Sequence, residues 1–153
     1  MITLEDNEVF IRHMIESDIT SVYNVERKSF PYPFGQSLIQ NIYLAAPELC
    51  LVIEIRSEIV GFLLGGYTAL PRQAHILSIA ILQEYRGRGL GRKILNHFVD
   101  TIKKLNYNSV KLEVNVNNQK AIKMYEEFNF KIESKVRKYY QDGSDAYLMI
   151  RKE

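Results

Sequence analysis

The stretch from His75 to Leu105 constrains the fold more than any other part of the sequence. It begins with an apolar run, His75 to Leu82, continues through a glycine-containing loop, Gln83 to Gly91, and ends in an amphipathic segment, Arg92 to Leu105. This pattern predicts a strand, a turn and a helix in that order. A glycine-rich turn at the start of a helix presents backbone N–H groups at the positive end of the helix dipole. The stretch therefore predicts an α/β unit with a phosphate-binding turn.

The length and the cysteine content limit the class of protein. A chain of 153 residues with 46% hydrophobic residues predicts one domain, residues 1–153, with a substantial core. No apolar run approaches the ~20 residues that cross a bilayer, and Met1 to Glu8 carries acids where a signal peptide is basic, so we expect a cytoplasmic protein. Cys50 is the only cysteine, which excludes an internal disulfide and predicts a buried thiol. The scattered histidines His13, His75 and His97 predict no metal site.

An aromatic loop follows the first predicted helix. Val9 to Met14 has the pattern of a strand, and Ser17 and Asp18 can cap a helix that runs to Ser29. The prolines of the segment Phe30 to Gly35 end that helix, because each restricts the residue before it. The aromatic rings of this loop either pack locally or line a pocket, and the sequence leaves both alternatives open.

The other predicted elements complete a mixed α/β chain. Glycines 61, 65 and 66 interrupt one strand of a predicted hairpin, which indicates a bulge or a close approach of another group. Asn117 or Asn118 can cap the last helix. The predicted elements besides those above are a helix over Ser37 to Ala46, strands over Leu49 to Ile55, Ile59 to Leu70 and Val110 to Val116, and final strands over Phe130 to Tyr140 and Ala146 to Arg151.

The spacing of the loop glycines distinguishes among phosphate-binding motifs. Glycines 87, 89 and 91 match neither the dinucleotide pattern G-x-G-x-x-G nor the nucleoside-triphosphate pattern G-x-x-x-x-G-K-[ST]. They do form Arg86-x-x-Gly89-x-Gly91, with further basic residues at 88, 92 and 93. This motif resembles that of the GCN5-related N-acetyltransferases, which wraps the pyrophosphate of coenzyme A. The loop has no aromatic residues interleaved with its basic ones, and the net charge is only +2, so we expect no direct nucleic-acid binding.

A second segment, Leu112 to Phe130, is similar to another motif of the same family. It contains Asn118-x-x-Ala121 and Tyr125 after a strand, and it closes with Asn129-Phe130 where the family has Gly-Phe. Asparagine also tolerates positive φ, so this departure affects only a turn. The resemblance implies an α/β (α+β) GNAT fold: a central mixed, splayed sheet of about seven strands flanked by about four helices. The strands at about 75–82 and 109–116 are expected to separate and admit the pantetheine arm.

The tail Lys138 to Met149, with its Tyr-Tyr pair, resembles that of N-terminal protein acetyltransferases. Both ribosomal-protein alanine acetyltransferases and the archaeal and eukaryotic Nα-acetyltransferase catalytic subunits share this hairpin. The resemblance implies acetyl transfer from acetyl-coenzyme A, without a metal, to the α-amino group of a protein or nascent-peptide N-terminus. A small-molecule amine or a lysine side chain is the alternative acceptor. An auxiliary ribosome-binding subunit is allowed, no membrane partner is expected, and the oligomeric state stays open.

The resemblance also implies the residues that bind both substrates. Backbone groups around Ile79 and Ile81 are expected to pair with the pantetheine and the acetyl carbonyl, and the N–H groups from Arg86 to Arg92 with the pyrophosphate. The candidate coenzyme-binding residues are Ile79, Ala80, Ile81, Arg86, Gly87, Arg88, Gly89, Leu90, Gly91, Arg92, Asn118 and Tyr125. The candidate peptide-binding residues are Phe30, Pro31, Tyr32 and Tyr139.

Three residues are candidates for the chemistry. Glu113 corresponds by position to the base proposed for ribosomal-protein alanine acetyltransferases. His75 is its rival, because histidine titrates near neutral pH and related enzymes have a histidine or tyrosine near the amine. A relay through water that uses both is a third alternative, and all three stay open. Tyr125 matches the tyrosine that protonates the leaving thiolate in the family.

Overall fold

The computed structural model describes residues 4–153. Seven strands lie at Val9–His13 (β1), Cys50–Ile55 (β2), Glu58–Tyr67 (β3), Gln73–Ile81 (β4), Ser109–Asn115 (β5), Lys131–Val136 (β6) and Ala146–Lys152 (β7). Four α-helices lie at Ile19–Ser29 (α1), Gln36–Ala45 (α2), Leu90–Lys104 (α3) and Gln119–Glu127 (α4). The expected fold class is confirmed, with element ends that differ from the predicted ones by a few residues.

The strands form one mixed sheet in the order β1-β2-β3-β4-β5-β7-β6. Strands β4 and β5 are parallel, and their register runs from Gln73 opposite Ser109 to Ile76 opposite Leu112. Parallel neighbours need a crossover, which the intervening α3 supplies. The pairs β1–β2, β2–β3, β5–β7 and β6–β7 are antiparallel. The separation of β4 and β5 that the resemblance implies stays a prediction.

The described chain divides into two compact units, and the first contains residues 4–66 and 78–101. Its core is formed by the apolar stripes of three helices and by the strands β2 and β3. The fully buried large side chains of this unit include Ile39, Leu49, Leu51, Ile53, Phe62, Leu64, Ile94, Leu95 and Phe98. The helix α3, whose amphipathic character the sequence predicts, supplies three of these positions.

The second unit contains Tyr67–Leu77 and Ile102–Glu153. Alternate residues of β5 are buried, as expected for a strand with one covered face. The buried side chains of this unit include Val110, Leu112, Val114, Ile122, Tyr125, Phe130 and Met149. Asn129 has a φ of 67°, so asparagine does supply the left-handed turn where the family has glycine. That the chain forms one domain stays a prediction.

Two predicted side-chain positions differ from the structure. Leu105, the last residue of the predicted amphipathic segment, is 44% exposed, because α3 ends at Lys104 and Asn106 takes a φ of 60°. Asp18 precedes α1, but its carboxylate makes no capping hydrogen bond to α1. It accepts instead from both terminal nitrogens of Arg12, at 2.7 and 3.0 Å, and from the N–H of Ile15 at 2.8 Å.

The last hairpin also differs from its prediction. The strand expected to reach Tyr140 ends at Val136. Lys138 has a φ of 51°, and its N–H donates to Oδ1 of Asp145 at 2.9 Å. This side-chain bond replaces the next ladder bond, so Tyr139 and Tyr140 belong to the connection between β6 and β7.

The glycines of β3 confirm the predicted close approach. A Cβ on Gly61 would lie 2.7 Å from Cδ1 of Ile81, and one on Gly65 would lie 2.6 Å from a backbone oxygen, that of Leu49. The register of β2 and β3 shifts beside Gly61, which is the predicted bulge. Only glycine fits at these two positions without movement of its neighbours.

Cys50 is fully buried, as predicted. Its Sγ lies 3.5 Å from the carbonyl oxygen of Ala46 and 3.7 Å from that of Gly65. Burial raises the pKa of the Cys50 thiol to about 11. The group is therefore a neutral thiol at physiological pH.

Among residues 4–153, no helix has both the length and the apolar composition that crossing a bilayer requires.

Candidate active site

The glycine loop lies in the first unit, between β4 and α3. Leu82 donates its N–H to the carbonyl of Val60 at 2.8 Å, and a short 3₁₀ turn, Gln83–Tyr85, follows. Gly87 and Gly89 have φ values of 78° and 77°. A Cβ on either would meet no atom within 4 Å, so their backbone conformation, and not crowding, requires glycine.

The helix α3 begins at Leu90, directly after the glycine loop, and the backbone N–H groups of its first turn lie at that end of the helix. The first intrahelical bond is from the N–H of Lys93 to the carbonyl of Gly89, at 3.1 Å. The amides before Lys93 in the first turn have no acceptor within an α-helix. With the helix dipole and the basic residues at 88, 92 and 93, these amides fit a pyrophosphate. Leu90 is buried and fixes the helix end.

Arg86 shapes the loop in a way that the sequence did not predict. Its Nε donates to the carbonyl of Ile81 at 2.8 Å, and its N–H donates to the carbonyl of Gln83 at 3.2 Å. These two bonds occupy the backbone N–H of Arg86 and one lone pair of the Ile81 carbonyl. Ala80, beside it, is buried, whereas Ile79 and Ile81 are half-buried.

The aromatic loop also belongs to the first unit. Phe30 is 37% and Tyr32 51% exposed, and Pro31 is exposed as well. Their rings are thus open enough to meet a ligand. The N–H of Phe34 donates to Oε2 of Glu26 at 2.9 Å.

Glu26 is a residue that the sequence analysis missed. It is only 2% exposed. It follows Ile19 and Val22 at helical spacing, so it occupies an apolar position of the α1 stripe. A charged residue at an apolar position of a helix is visible in the sequence, and this pattern could have indicated Glu26.

A cluster of polar groups lies in the second unit, on one face of β5. Alternation places Lys111, Glu113 and Asn115 on the same face. His75 Nε2 lies 2.7 Å from Oε1 of Glu113, and the hydroxyl of Tyr139 donates to the same oxygen at 3.2 Å. Nζ of Lys111 lies 3.9 Å from the other carboxylate oxygen. Two predicted catalytic residues and one predicted peptide-binding residue therefore make direct contact.

The charge state of Glu113 follows from this cluster. Burial raises the pKa of the carboxyl, but the hydrogen bond from His75, the charges of His75 and Lys111 and the Tyr139 hydroxyl together outweigh it, and the pKa lies below 4.5. An ionised carboxylate only accepts hydrogen bonds. The Nε2 atom of His75 therefore carries a hydrogen and donates it to Oε1 of Glu113, and Nδ1 is the ring nitrogen left outside this contact.

Hydrogen bonds hold the tyrosine connection in place. Nδ2 of Asn115 donates to Oγ of Ser144 at 2.9 Å, and the N–H of Tyr140 donates to the Ser144 carbonyl at 3.2 Å. The rings of Tyr139 and Tyr140 meet edge to face at 4.9 Å between centroids. Burial and the Glu113 charge raise the pKa of Tyr139 to about 12, so its hydroxyl keeps the proton that it donates.

Tyr125 and Asn118 lie on and before α4. Tyr125 is 5% exposed and meets Phe130 edge to face. Burial, reinforced by Tyr140, raises the pKa of Tyr125 well above 10, so the phenol stays protonated at neutral pH. Oδ1 of Asn118 accepts from the N–H of Ala121 at 3.2 Å, which makes Asn118 the helix cap.

In residues 4–153, no three histidine, cysteine, aspartate or glutamate side chains are grouped as metal ligands would be.

Comparisons with known proteins agree with both motifs. The sequence matches the model of the Acetyltransferase (GNAT) family over residues 19–130. An uncharacterized N-acetyltransferase of Methanocaldococcus jannaschii is 35% identical and covers 94% of this chain and 92% of its own. An N-alpha-acetyltransferase of Sulfolobus acidocaldarius is 31% identical over 95% of both chains. The crystal structure of Ard1 from Thermoplasma volcanium has a TM-score of 0.89 and 32% identity, over 95% of this chain and 97% of that one.

Proposed function

Because the chain belongs to the GNAT family of acetyl-coenzyme A-dependent N-acetyltransferases, we propose that it acetylates the α-amino group of protein or nascent-peptide N-termini. One observation carries this proposal: the relative named as an N-alpha-acetyltransferase is similar along 95% of both chains. The peptide-binding and base-carrying segments are therefore both within the shared part. The proposed place of action is the cytoplasm, where nascent N-termini first appear.

The coenzyme site is proposed at the glycine loop. The positive φ values of Gly87 and Gly89, 78° and 77°, support a turn whose amides from Gly87 to Arg92 bind a pyrophosphate. Backbone groups of Ile79, Ala80 and Ile81 are proposed to pair with the pantetheine, and Asn118 and Tyr125 to contact it as well. Bound acetyl-coenzyme A supplies the thioester carbonyl that the amine attacks, and this acyl transfer needs no metal.

The base is proposed to be His75, oriented by Glu113. The 2.7 Å contact and the lowered pKa of Glu113 favour a carboxylate that fixes the ring, with Nδ1 of His75 as the basic atom. Nδ1 takes a proton from the α-ammonium group, directly or through a water, and Glu113 stabilises the imidazolium that results. Glu113 as the base itself is the weaker alternative, because its lowered pKa makes the carboxylate a weak proton acceptor.

Tyr125 is proposed to stabilise the sulfur of coenzyme A as it leaves. Its phenol is protonated and buried, so it offers an O–H in a place of low dielectric. A phenol whose pKa lies well above that of a thiol, about 8.5, transfers its proton unfavourably. Tyr125 therefore acts mainly as a hydrogen-bond donor to the sulfur.

The peptide is proposed to lie against Phe30, Pro31, Tyr32 and Tyr139. The exposure of Phe30 and Tyr32, and the bond of Tyr139 to Glu113, support this assignment. The resemblance allows an auxiliary ribosome-binding subunit. Such a subunit would be detected as a protein whose addition makes the purified chain bind to ribosomes.

The decisive experiment is mass-spectrometric profiling of a peptide library incubated with the protein and acetyl-coenzyme A. Each peptide has a matched partner whose α-amine is blocked and whose lysine is retained, and free small amines form a third set. We expect acetylation of the free N-termini only. Acetylation confined to the small amines, or to lysines of the blocked peptides, would refute the proposal and identify the acceptor.

A further inference from the structure

Glu26 is a buried carboxylate that the proposed chemistry does not use. It lies on α1 beside Val25 and is 2% exposed. Within the described part of the chain it has hydrogen bonds but no ion pair with a cation. Burial of such a group is costly unless its hydrogen bonds are made, so the contacts of Glu26 are strongly held.

These contacts connect two separate segments. Oε2 accepts from the N–H of Phe34 at 2.9 Å, and Oε1 accepts from the hydroxyl of Ser78 at 2.6 Å. Its backbone carbonyl accepts from the N–H of Phe30 at 3.1 Å. One residue thus holds both ends of the aromatic loop and joins them to β4 at the position before Ile79.

The loop has few other means of being held. Pro31 and Pro33 have no N–H, so the backbone donors between positions 30 and 34 are those of Phe30, Tyr32 and Phe34. Glu26 accepts from two of these three. The Phe30 bond is the last backbone bond of α1 and any residue at position 26 would make it, whereas the Phe34 bond requires the Glu26 side chain. The far end of the aromatic loop is therefore held by the Glu26 carboxylate.

We propose that Glu26 is a positioning residue that fixes the aromatic loop relative to Ser78 and Ile79, and so sets where the peptide N-terminus meets the thioester. This inference rests on the proposed function, which assigns the peptide to the loop and the thioester to β4. One oxygen of the Glu26 carboxylate binds the aromatic loop at Phe34 and the other binds β4 at Ser78. Because hydrogen bonds allow only a narrow range of distances, the two segments are held at a defined separation.

The test uses variants that keep or break these two bonds. Glu26→Gln keeps both, because the amide oxygen can accept from Phe34 and the amide nitrogen can donate to Ser78. Glu26→Leu has a similar volume and breaks both, and Ser78→Ala breaks one. Ser29→Ala is the matched control, since it removes a hydroxyl bond to the Val25 carbonyl, 2.7 Å long, at the end of the same helix.

The measurements are the KM for peptide, the KM for acetyl-coenzyme A and the hydrogen exchange of the Phe34 amide. Glu26→Leu should raise the peptide KM about tenfold, the usual effect of losing buried hydrogen bonds, with an unchanged coenzyme KM and faster Phe34 exchange. Ser78→Ala should show a smaller effect of the same kind. Glu26→Gln and Ser29→Ala should resemble the wild type.

Each contrary result overturns the inference. An unchanged peptide KM in Glu26→Leu and Ser78→Ala, or an equal rise of both KM values, would leave Glu26 with no positioning role. If Glu26→Leu fails to fold, Ser78→Ala against Ser29→Ala decides. A wild-type protein that acetylates no peptide would refute the proposed function instead, while Phe34 exchange would still show whether Glu26 holds the loop.

Discussion

Replacement of Glu113 by glutamine tests how the proton leaves the attacking amine. The amide oxygen can still accept from His75, whose Nε2 lies 2.7 Å from the carboxylate, but the charge is lost. A charge-assisted hydrogen bond contributes about 1.5–3 kcal/mol, which corresponds to about 10- to 150-fold in rate. A general base contributes about 10²- to 10⁴-fold. If Glu113 only orients and charges His75, Glu113→Gln should lose about 10- to 100-fold in kcat, and His75→Gln should lose more.

The assay is kcat at saturating peptide and acetyl-coenzyme A across about pH 6 to about pH 9, since the α-amino pKa lies near 8. Glu113, with its pKa below 4.5, stays ionised, and Tyr139, with its pKa near 12, stays protonated throughout this range. Above the pKa of the amine a base is no longer needed. The defects of both variants should therefore shrink as the pH rises.

Lys111→Met is the control for a change of charge on the same face of β5. Its ammonium lies 3.9 Å from Glu113 and makes no hydrogen bond to it, so its kcat should stay close to that of the wild type. Two results would refute the reasoning. A larger loss in Glu113→Gln than in His75→Gln at every pH would make Glu113 the base. If the loss of kcat in Glu113→Gln and His75→Gln were the same at every pH, neither residue would remove the proton.

Three further changes have defined outcomes. Tyr125→Phe should lower kcat about tenfold, the effect of losing one hydrogen bond of about 1.4 kcal/mol to the sulfur, with an unchanged coenzyme KM; wild-type turnover would remove this donor from the mechanism. Gly65→Ala should lower the free energy of unfolding by about 1–3 kcal/mol, because its Cβ would lie 2.6 Å from a backbone oxygen. Gly35→Ala, with no atom within 4 Å, should have a smaller effect, which comes only from the preference of the α2 N-cap position for glycine over alanine. Asp18 has its pKa lowered below 3.8: burial alone would raise it, but the Arg12 and Ile15 hydrogen bonds prevail. Its stabilisation is present above the unfolded pKa and lost as the pH falls through the folded one, so Asp18→Asn should flatten acid unfolding followed by circular dichroism.

The sequence predicts the glycine loop well because the signal is local. Glycines at 87 and 89 are needed for φ values that other residues avoid, and the spacing of apolar residues in α3 is visible without a structure. The resemblance also points to His75 and Glu113, but as rivals, and their catalytic roles stay predictions. Their contact depends on the parallel register, in which His75 lies opposite Lys111, and no local pattern reports the register between strands.

Long-range hydrogen bonds account for what the sequence did not show. The bond of Tyr139 to Glu113 and that of Ser78 to Glu26 join residues that are 26 and 52 positions apart, so their pairing depends on tertiary structure. The bond of Arg86 to Ile81 spans only five residues, but no spacing pattern reports a side-chain bond to a turn carbonyl. The predicted strand over Tyr139 failed for a related reason. The pattern of alternation continued, but a side-chain acceptor at Asp145 took the N–H of Lys138 and ended the ladder.

Because Cys50 is buried, turnover can be measured directly from the thiol that the reaction releases. Each acetyl transfer releases one coenzyme A thiol, and thiol-reactive dyes respond to accessible thiolates. The only cysteine of the chain is fully buried, and its pKa is raised to about 11. The folded enzyme should therefore stay silent in a colorimetric thiol titration, and a slow signal from the protein itself would report unfolding.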